Sequence, residues 1–109
     1  MVSHYVYVMK EGHGKKSPVK IGVAVDVDAR REELQIGNSR KLIVVIRLGP
    51  MTKEVAFELE ASMHRRFKPQ HIRGEWFQGH IVKWLTEKPP AYRQQHQELS
   101  GPMFENRGL

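Results

Sequence analysis

The chain has 109 residues and carries 18 lysines and arginines against 12 acidic residues, which gives a formal net charge of +6. It contains no cysteine, so disulfides and thiolate metal sites are excluded. No apolar run approaches membrane-spanning length and residues 1–9 lack a signal-peptide pattern, so we expect a cytoplasmic protein without a membrane partner. The positive charge favours nucleic acid as a partner, because neutralising phosphates releases counterions.

Two short segments near the N-terminus predict a β-hairpin. Residues 5–9 and 19–23 are rich in β-branched and aromatic side chains, as strands commonly are. The loop between them contains the turn-forming residues Gly12, Gly14 and Pro18. We therefore expect two antiparallel strands joined by this loop.

The alternation of side chains along these strands places Tyr7 and Lys20 on the same face. A register that pairs Val8 with Val19 would set Lys20 beside Tyr7. The positive charge of the lysine would then lower the pKa of the tyrosine from its usual value of about 10, as a general base requires. The alternative is an ordinary strand tyrosine with a solvated lysine beside it.

A helix is predicted between Asp26, a good N-cap residue, and Gly37, a common helix terminator. Val27 and Leu34 mark its buried stripe. Arg30 and Arg31 lie on either side of that stripe, by about 50° each at about 100° per residue. Either arginine could lean towards the hairpin, or both could be solvated, and the periodicity leaves this choice open.

A third strand is predicted at residues 41–48, where the run 42–46 is apolar without interruption. Such a run favours a central strand that is covered on both faces. The Gly49-Pro50 break then precedes a second helix, which is expected to begin near Thr52 and to end at Phe67. The buried stripe of this helix comprises Val55, Ala56, Leu59, Met63 and Phe67.

Two carboxylates of the second helix differ in their position on the helical wheel. Glu60 lies at the edge of the apolar stripe, whereas Glu58 points away from it. An unpaired charge at a buried edge is costly, so Glu60 needs a partner. That partner is either a divalent metal ion with water ligands or one of Arg30 and Arg31, and this helix alone does not decide between them.

The segment that follows the second helix carries two large aromatic residues. Residues 70–77 are expected to be irregular, with Trp76 and Phe77 closing the core. Glu75 could belong to a functional site or anchor the turn at Gly74. Beyond this segment, apolar residues recur at helical spacing and predict a short third helix that stops at the two prolines after Lys88.

The predicted elements follow the order strand, strand, helix, strand, helix, helix. They indicate one α+β domain at residues 1–88, in which helices flank a small, mostly antiparallel sheet of three strands. Residues 89–109 are polar and poor in apolar side chains, so we expect a flexible tail.

Several residues in this order resemble the GIY-YIG nuclease superfamily. Tyr5-Val6-Tyr7 and Lys20-Ile21-Gly22 look like its two signature tripeptides, and Arg30 and Glu60 follow in the two long helices. With Gly74-Glu75-Trp76-Phe77 added, the predicted domain most resembles the compact branch named after a phage T5 open reading frame and a meiotically up-regulated fungal gene. The joint order and spacing of these motifs carry the resemblance.

The resemblance implies a GIY-YIG-like fold and an endonuclease that hydrolyses DNA phosphodiester bonds. Tyr7 would act as the general base or position the attacking water. Arg30, rather than Arg31, would contact the scissile phosphate. Glu60 would bind a single metal ion, Mg²⁺ or Mn²⁺.

The chain departs from the family pattern in both tripeptides. Lys20 stands where the family usually has tyrosine, and we expect it to assist Tyr7 in catalysis. Tyr5 stands in place of glycine and is a candidate to contact phosphate. The residues that could replace the family's downstream asparagine are Asn38, His64 and His71.

Further basic residues predict a surface that binds nucleic acid, and DNA in particular. These residues are Arg31, Arg65, Arg66 and Lys68. The alternative for the last three is a solvated helix end that complements the helix dipole. A homodimer would supply a second such surface. The rival function is a non-catalytic DNA-binding module of the same fold, such as a regulatory or phage accessory protein.

Overall fold

A computed structural model of the chain describes residues 2–87. Within this range five strands and three α-helices form the fold. In chain order they are β1 (His4–Glu11), β2 (Val19–Ala24), α1 (Val27–Ile36), β3 (Leu42–Met51), α2 (Lys53–Arg66), β4 (His71–Arg73), β5 (Trp76–Phe77) and α3 (Ile81–Glu87), with a 3-10 turn at Lys68–Gln70 between α2 and β4. The strands form one antiparallel sheet in the order β3-β1-β2-β5-β4. The predicted α+β class is therefore confirmed.

The sheet has five strands instead of the three that the sequence predicts. The additional pair, β4 and β5, arises from the segment at residues 70–77 that is expected to be irregular. Gly74 turns the chain between them with a φ of 53°, and β5 then pairs with β2. Strands of three and two residues are too short to show an alternating pattern, so the sequence carries no signal for them.

The third predicted strand, β3, lies at an edge of the sheet, so its expected central position is wrong. It also continues through the expected break at Gly49-Pro50 to Met51. Its run is apolar because helices cover both faces: Ile46 and Leu48 belong to the core on the α2 side, and Val44 packs on the α1 side. A continuous apolar run indicates that both faces of a strand are covered, and a strand at the edge of a sheet can be covered in this way too.

The sheet separates two groups of buried side chains, as the alternation along the hairpin strands predicts. On one side, the hairpin valines and Ile21 pack against α2 and α3. On the other side, Tyr7 and Met9 pack with Val27 of α1. Tyr7 is only 1% exposed, so its ring is enclosed between the sheet and α1.

The predicted ends of the two long helices are confirmed. Asp26 and Thr52 each accept a hydrogen bond from an amide of the first turn, at 3.0 and 3.2 Å. Gly37 and Phe67 lie at the C-terminal ends of α1 and α2. Val55 is 40% exposed, so its expected burial is wrong. The stripe of α2 that faces the sheet begins one residue later.

Two expectations concern residues outside the described range. The flexible tail at residues 89–109 and the helix stop at the two prolines after Lys88 both lie there. The last described helix, α3, runs from Ile81 to Glu87. Within residues 2–87, no helix combines the length and the apolar character needed to cross a bilayer.

The register that would set Lys20 beside Tyr7, with Val8 opposite Val19, does not occur, and the observed pairing differs from it by two residues. Val8 instead pairs with Ile21, and Tyr7 lies opposite Gly22. The difference keeps every side chain on its predicted face, because the side-chain period along a strand is two residues. It changes which residues are neighbours across the pair.

Gly22 leaves open the space that the Tyr7 ring occupies. A Cβ atom at Gly22 would lie 2.6 Å from Tyr7 Cζ, closer than two carbon atoms can approach without displacement. The ring is buried in close-packed surroundings and has little room to move. Packing over Gly22 therefore fixes the position of the tyrosine hydroxyl.

We predict that Gly22→Ala lowers the free energy of unfolding by about 1–3 kcal/mol, because the added methyl group must displace a buried ring. Gly37→Ala is the matched control, since a Cβ atom there meets nothing within 4 Å and its φ of −94° suits any residue. Urea denaturation of both variants and the parent protein measures the difference. Equal unfolding midpoints for the two variants would contradict the packing described for Tyr7.

Candidate active site

The candidate site lies where β2 extends beyond its short neighbour β5. The two strands pair only at Val19 and Lys20, and a last hydrogen bond joins Ile21 N to Glu75 O at 3.1 Å. Helix α2 crosses next to this point, where His64 Nε2 donates a hydrogen bond to Ile21 O at 3.2 Å. Side chains from α2 and from the α1 side of the sheet can therefore meet at this part of β2.

Tyr7 and Arg30 form the centre of the site. Arg30 extends from α1 to the Tyr7 hydroxyl, and its guanidinium lies close enough to lower the pKa of that hydroxyl. Its guanidinium also pairs with Glu33, with 3.1 Å between Nη1 and Oε1. The arginine side chain remains 45% exposed. It can therefore contact a further anion while it holds the tyrosine.

Burial is the main influence on Tyr7 and raises the pKa of its hydroxyl above the ordinary value of 10.0. The carboxylates of Glu75 and Glu60 raise this pKa further, whereas the hydrogen bond and the charge of Arg30 oppose the rise. The expectation that Lys20 lowers the pKa of Tyr7 is therefore wrong. In the free protein the hydroxyl keeps its proton at neutral pH.

Lys20 lies on the predicted face but contacts other groups. It pairs across the sheet with Met9 on β1 and with Trp76 on β5. Its Nζ atom lies 3.0 Å from Glu75 Oε1 and 5.6 Å from the centre of the Trp76 ring. Lys20 therefore neutralises a carboxylate at the edge of the site.

Glu60 is the carboxylate of α2 that faces the site, as the helical wheel predicts. Its side chain is 16% exposed, whereas Glu58 lies on the exposed face of the helix. Burial and the negative charge of Glu75 raise the pKa of Glu60, and the positive charges of His64 and Lys20 oppose this rise. A carboxylate in these surroundings favours a nearby cation.

The arginines that the sequence allows as partners of Glu60 are engaged elsewhere. Arg30 pairs with Glu33, and Arg31 is directed towards the start of β3. The basic group described near Glu60 is His64, with 4.0 Å between Nε2 and Oε2. This distance is at the limit of an ion pair, so His64 neutralises the carboxylate only in part.

Glu60 offers a single carboxylate, which suits a cation that needs few protein ligands. In the part of the chain that the structure describes, no group of three or more His, Asp or Glu side chains converges to enclose a metal ion. Mg²⁺ needs no such enclosure, because it keeps several waters and commonly binds one or two carboxylates together with substrate phosphates. One partly buried carboxylate agrees with this mode of binding, and a single Mg²⁺ or Mn²⁺ ion at Glu60 stays a prediction.

Three of the remaining candidate residues make contacts outside the site. Tyr5 packs its ring against Gly49 of β3. Asn38 lies in the loop after α1, where its Oδ1 atom accepts a hydrogen bond from Arg40 N at 3.0 Å. His71 contacts its own hairpin, with 2.8 Å between Nε2 and a turn carbonyl. The structure brings together Tyr7, Lys20, Arg30, Glu60 and His64.

Three of the four residues predicted to bind nucleic acid are exposed at the C-terminal end of α2 and just after it. They are Arg65, Arg66 and Lys68. The Arg66 guanidinium lies 4.9 Å from the centre of the Phe67 ring. Arg31 is partly buried, and its Nη1 atom lies 3.5 Å from the carbonyl oxygen of Leu42. For all four residues, contact with nucleic acid stays a prediction.

Glu75 is the site residue whose role the sequence left open. Its charge acts on both Tyr7 and Glu60, and it forms the ion pair with Lys20. Only the pairing of β5 with β2 brings it there. Since that pairing joins residues more than fifty positions apart, no local pattern could have revealed it.

We predict that Glu60→Gln raises the melting temperature near neutral pH. Because the pKa of Glu60 is raised in the folded chain, its ionised form disfavours folding. The stability that the protonated form provides is present below the pKa of the unfolded chain and lost as pH rises through the folded pKa. The increase in melting temperature over the parent protein should therefore become smaller as the pH falls to about 4. Glu58→Gln should show no pH-dependent increase of this kind. A lower melting temperature for Glu60→Gln near pH 7.5 would contradict the described environment.

A second thermal measurement tests whether a divalent cation binds at Glu60. Mg²⁺ or Mn²⁺ should raise the melting temperature of the parent protein near pH 7.5, since a ligand that binds only the folded chain stabilises it. The same ions should leave Glu60→Gln unchanged, and Glu58→Gln should behave like the parent. An equal response of the parent and Glu60→Gln would place any bound ion elsewhere.

No curated protein and no solved structure is significantly similar to the chain. The model of the T5orf172 domain matches residues 4–88, which include every strand and helix described above. The chain therefore belongs to the T5orf172 domain family, whose members are nuclease-like, DNA-binding domains.

Proposed function

We propose that the chain is a divalent-metal-dependent endonuclease of the GIY-YIG type that hydrolyses DNA phosphodiester bonds. The observation that carries this proposal is the position of the Arg30 guanidinium beside the buried Tyr7 hydroxyl, within electrostatic reach of Glu60. These three groups supply a phosphate contact, a contact for water and a cation site, which phosphodiester hydrolysis requires. Membership of a nuclease-like family supports the same function.

Arg30 is suited to contact the scissile phosphate. Its guanidinium has five N–H donors, and Tyr7 and Glu33 occupy only part of them. Nearly half of the side chain is accessible to a ligand. Because negative charge on the phosphate oxygens must be stabilised as the water attacks, this contact contributes most in the transition state.

Tyr7 is suited to hold the attacking water. Its hydroxyl lies beside Arg30 and has one O–H donor and two lone pairs, enough to contact both the guanidinium and a water molecule. Because the pKa of the hydroxyl is raised, Tyr7 orients water at neutral pH mainly as a neutral hydrogen-bonding group. Its capacity to remove a proton grows as the pH rises.

The charges around Glu60 prepare the cation site. A divalent ion held by Glu60 would supply positive charge where negative charge develops on the leaving oxygen. Lys20 neutralises Glu75 through a contact of 3.0 Å, which limits the repulsion between the two carboxylates. Glu60 can thus remain ionised at neutral pH in spite of its partial burial.

We predict that Tyr7→Phe, Arg30→Ala and Glu60→Gln each slow metal-dependent nicking of supercoiled plasmid by about 10²–10³-fold, as expected when a preorganised catalytic group is removed. Glu58→Gln should cut at the parental rate, since it changes an exposed carboxylate of the same helix. Identical purification of all proteins controls for contaminating nuclease. Parental nicking by Glu60→Gln would overturn the metal assignment.

The raised pKa of Tyr7 predicts how cleavage depends on pH. If Tyr7 accepts a proton from water, kcat/KM should increase from about pH 6.5 to about pH 9 in Mg²⁺ without a plateau, because the pKa lies above 10.0. Tyr7→Phe should remove this increase from its residual activity. A plateau near neutral pH in the parent protein would assign the proton transfer to another group.

A second candidate function is DNA binding without cleavage. The net charge of +6 and the exposed basic residues Arg65, Arg66 and Lys68 favour it. In that case binding would need no divalent ion, and Arg65→Glu would weaken it more than Glu60→Gln. Fluorescence anisotropy of labelled DNA in EDTA, at two salt concentrations, measures this ranking. Metal-dependent nicking that is lost in Glu60→Gln would decide in favour of the enzyme.

A further inference from the structure

An open groove of about 340 Å³ lies between the C-terminal end of α1 and the β4–β5 hairpin. Its volume is within the range of small-ligand sites in proteins. The residues that line it and carry the argument are Glu11, Asn38, Ser39, Ile72, Arg73 and Trp76. None of these residues has a part in the hydrolysis described above.

The groove lies on the same face of the sheet as Tyr7 and Lys20 of the candidate site. Strand pairing sets Trp76 opposite Lys20 and Arg73 opposite Trp76, and paired residues share a face. Lys20 and Tyr7 share the α1 face by the alternation described above. From strand spacing and rise per residue, Trp76 lies roughly 12 Å from Tyr7, a span of a few nucleotides.

Trp76 is held at the junction between the two sites. It is partly buried, and Lys20 Nζ lies 5.6 Å from the centre of its ring. The same ammonium group pairs with Glu75 at 3.0 Å. An aromatic ring that is fixed by its neighbours but still lines a groove offers a surface for stacking.

The chemistry of the lining suits a nucleobase. Exposed Arg73 supplies a guanidinium beside the indole, and proteins that bind single strands stack bases on both kinds of group. Asn38 and Glu11 provide polar groups for the edge of a base. The negative charge of Glu11 disfavours a phosphate inside the groove, which leaves the phosphates at its rim.

The rim carries the positive charge that such phosphates need. The loop between β1 and β2 and the segment before β3 are joined by a hydrogen bond of 2.8 Å from Gly12 N to Lys41 O. These two segments adjoin Glu11 and Asn38 in the groove wall. Their exposed basic residues are Lys15, Lys16, Arg40 and Lys41.

We propose that this groove binds an unpaired nucleobase of the substrate, stacked on Trp76, a few nucleotides from the phosphate that is cleaved. The proposal rests on the proposed function for the neighbouring site and specifies its substrate as nucleic acid with a single-stranded segment. A base within a duplex cannot enter the groove, because its faces are covered by its neighbours in the stack. Duplex DNA would therefore contact the site without filling the groove.

Tryptophan fluorescence tests the stacking contact. The chain has two tryptophans, so Trp84→Phe leaves Trp76 as the reporter, and Glu60→Gln in the same protein prevents cleavage during the titration. A single-stranded oligothymidylate should quench the fluorescence of Trp76 to saturation at low salt. A blunt duplex of the same length should quench it far less. Unchanged Trp76 fluorescence while anisotropy shows the oligonucleotide bound would overturn the proposal.

Affinity measurements with matched variants test the energetic contribution. Trp76→Leu should weaken binding of the labelled single strand about 5- to 100-fold, the usual range for loss of one stacked base. Trp84→Leu is the matched control, because Trp84 is 40% exposed on α3 and does not line the groove. Trp76→Phe should restore most of the affinity. Thermal melting confirms that each variant is folded.

The outcomes separate this proposal from the nuclease proposal. Quenching of Trp76 by single strands in the Trp84→Phe reporter protein, together with a parent protein that cleaves nothing, would support the groove and refute the enzyme. Plasmid nicking that depends on Glu60, together with equal single-strand affinity of Trp76→Leu and the parent, would support the enzyme and refute the groove.

Discussion

The packing of the Tyr7 ring over Gly22 is the constraint on which the candidate site depends. It fixes the hydroxyl between the sheet and α1, where Arg30 reaches it from the helix. A side chain larger than hydrogen at Gly22 would displace the ring. The second tripeptide therefore needs glycine for a steric reason, and the position of Tyr7 follows from the pairing of β1 with β2.

Partial burial governs the electrostatics of the site. It raises the pKa of both Tyr7 and Glu60, and the charges of Arg30, Lys20 and His64 counteract the effect at one group or the other. Arg30 opposes the rise in the pKa of Tyr7, and His64 and Lys20 oppose the rise in the pKa of Glu60. Lys20 has this role without contacting the tyrosine. These charges are the basis for our proposal that a cation binds at Glu60 and a phosphate at Arg30.

The β4–β5 hairpin links the core to the site and to the groove. Phe77 is 1% exposed and packs in the larger core, whereas its neighbour Trp76 faces the opposite side of the sheet. Glu75, one residue earlier, reaches Lys20. The burial of Phe77 therefore holds in place the strand that carries Trp76. Trp76 in turn lines the surface on which we propose that a single-stranded segment binds.

The sequence by itself determined what local chemistry controls: the ends of the long helices at Asp26, Gly37 and Thr52, the face on which Tyr7 lies, and the inward position of Glu60. Each depends on capping or periodicity within a few residues. Only the tertiary structure decided the hairpin register, the edge position of β3 and the addition of the β4–β5 pair. It also decided which groups lie next to Lys20, Glu60 and Glu75. These depend on contacts between distant residues, whose register and geometry arise only when the sheet and both helical layers pack together.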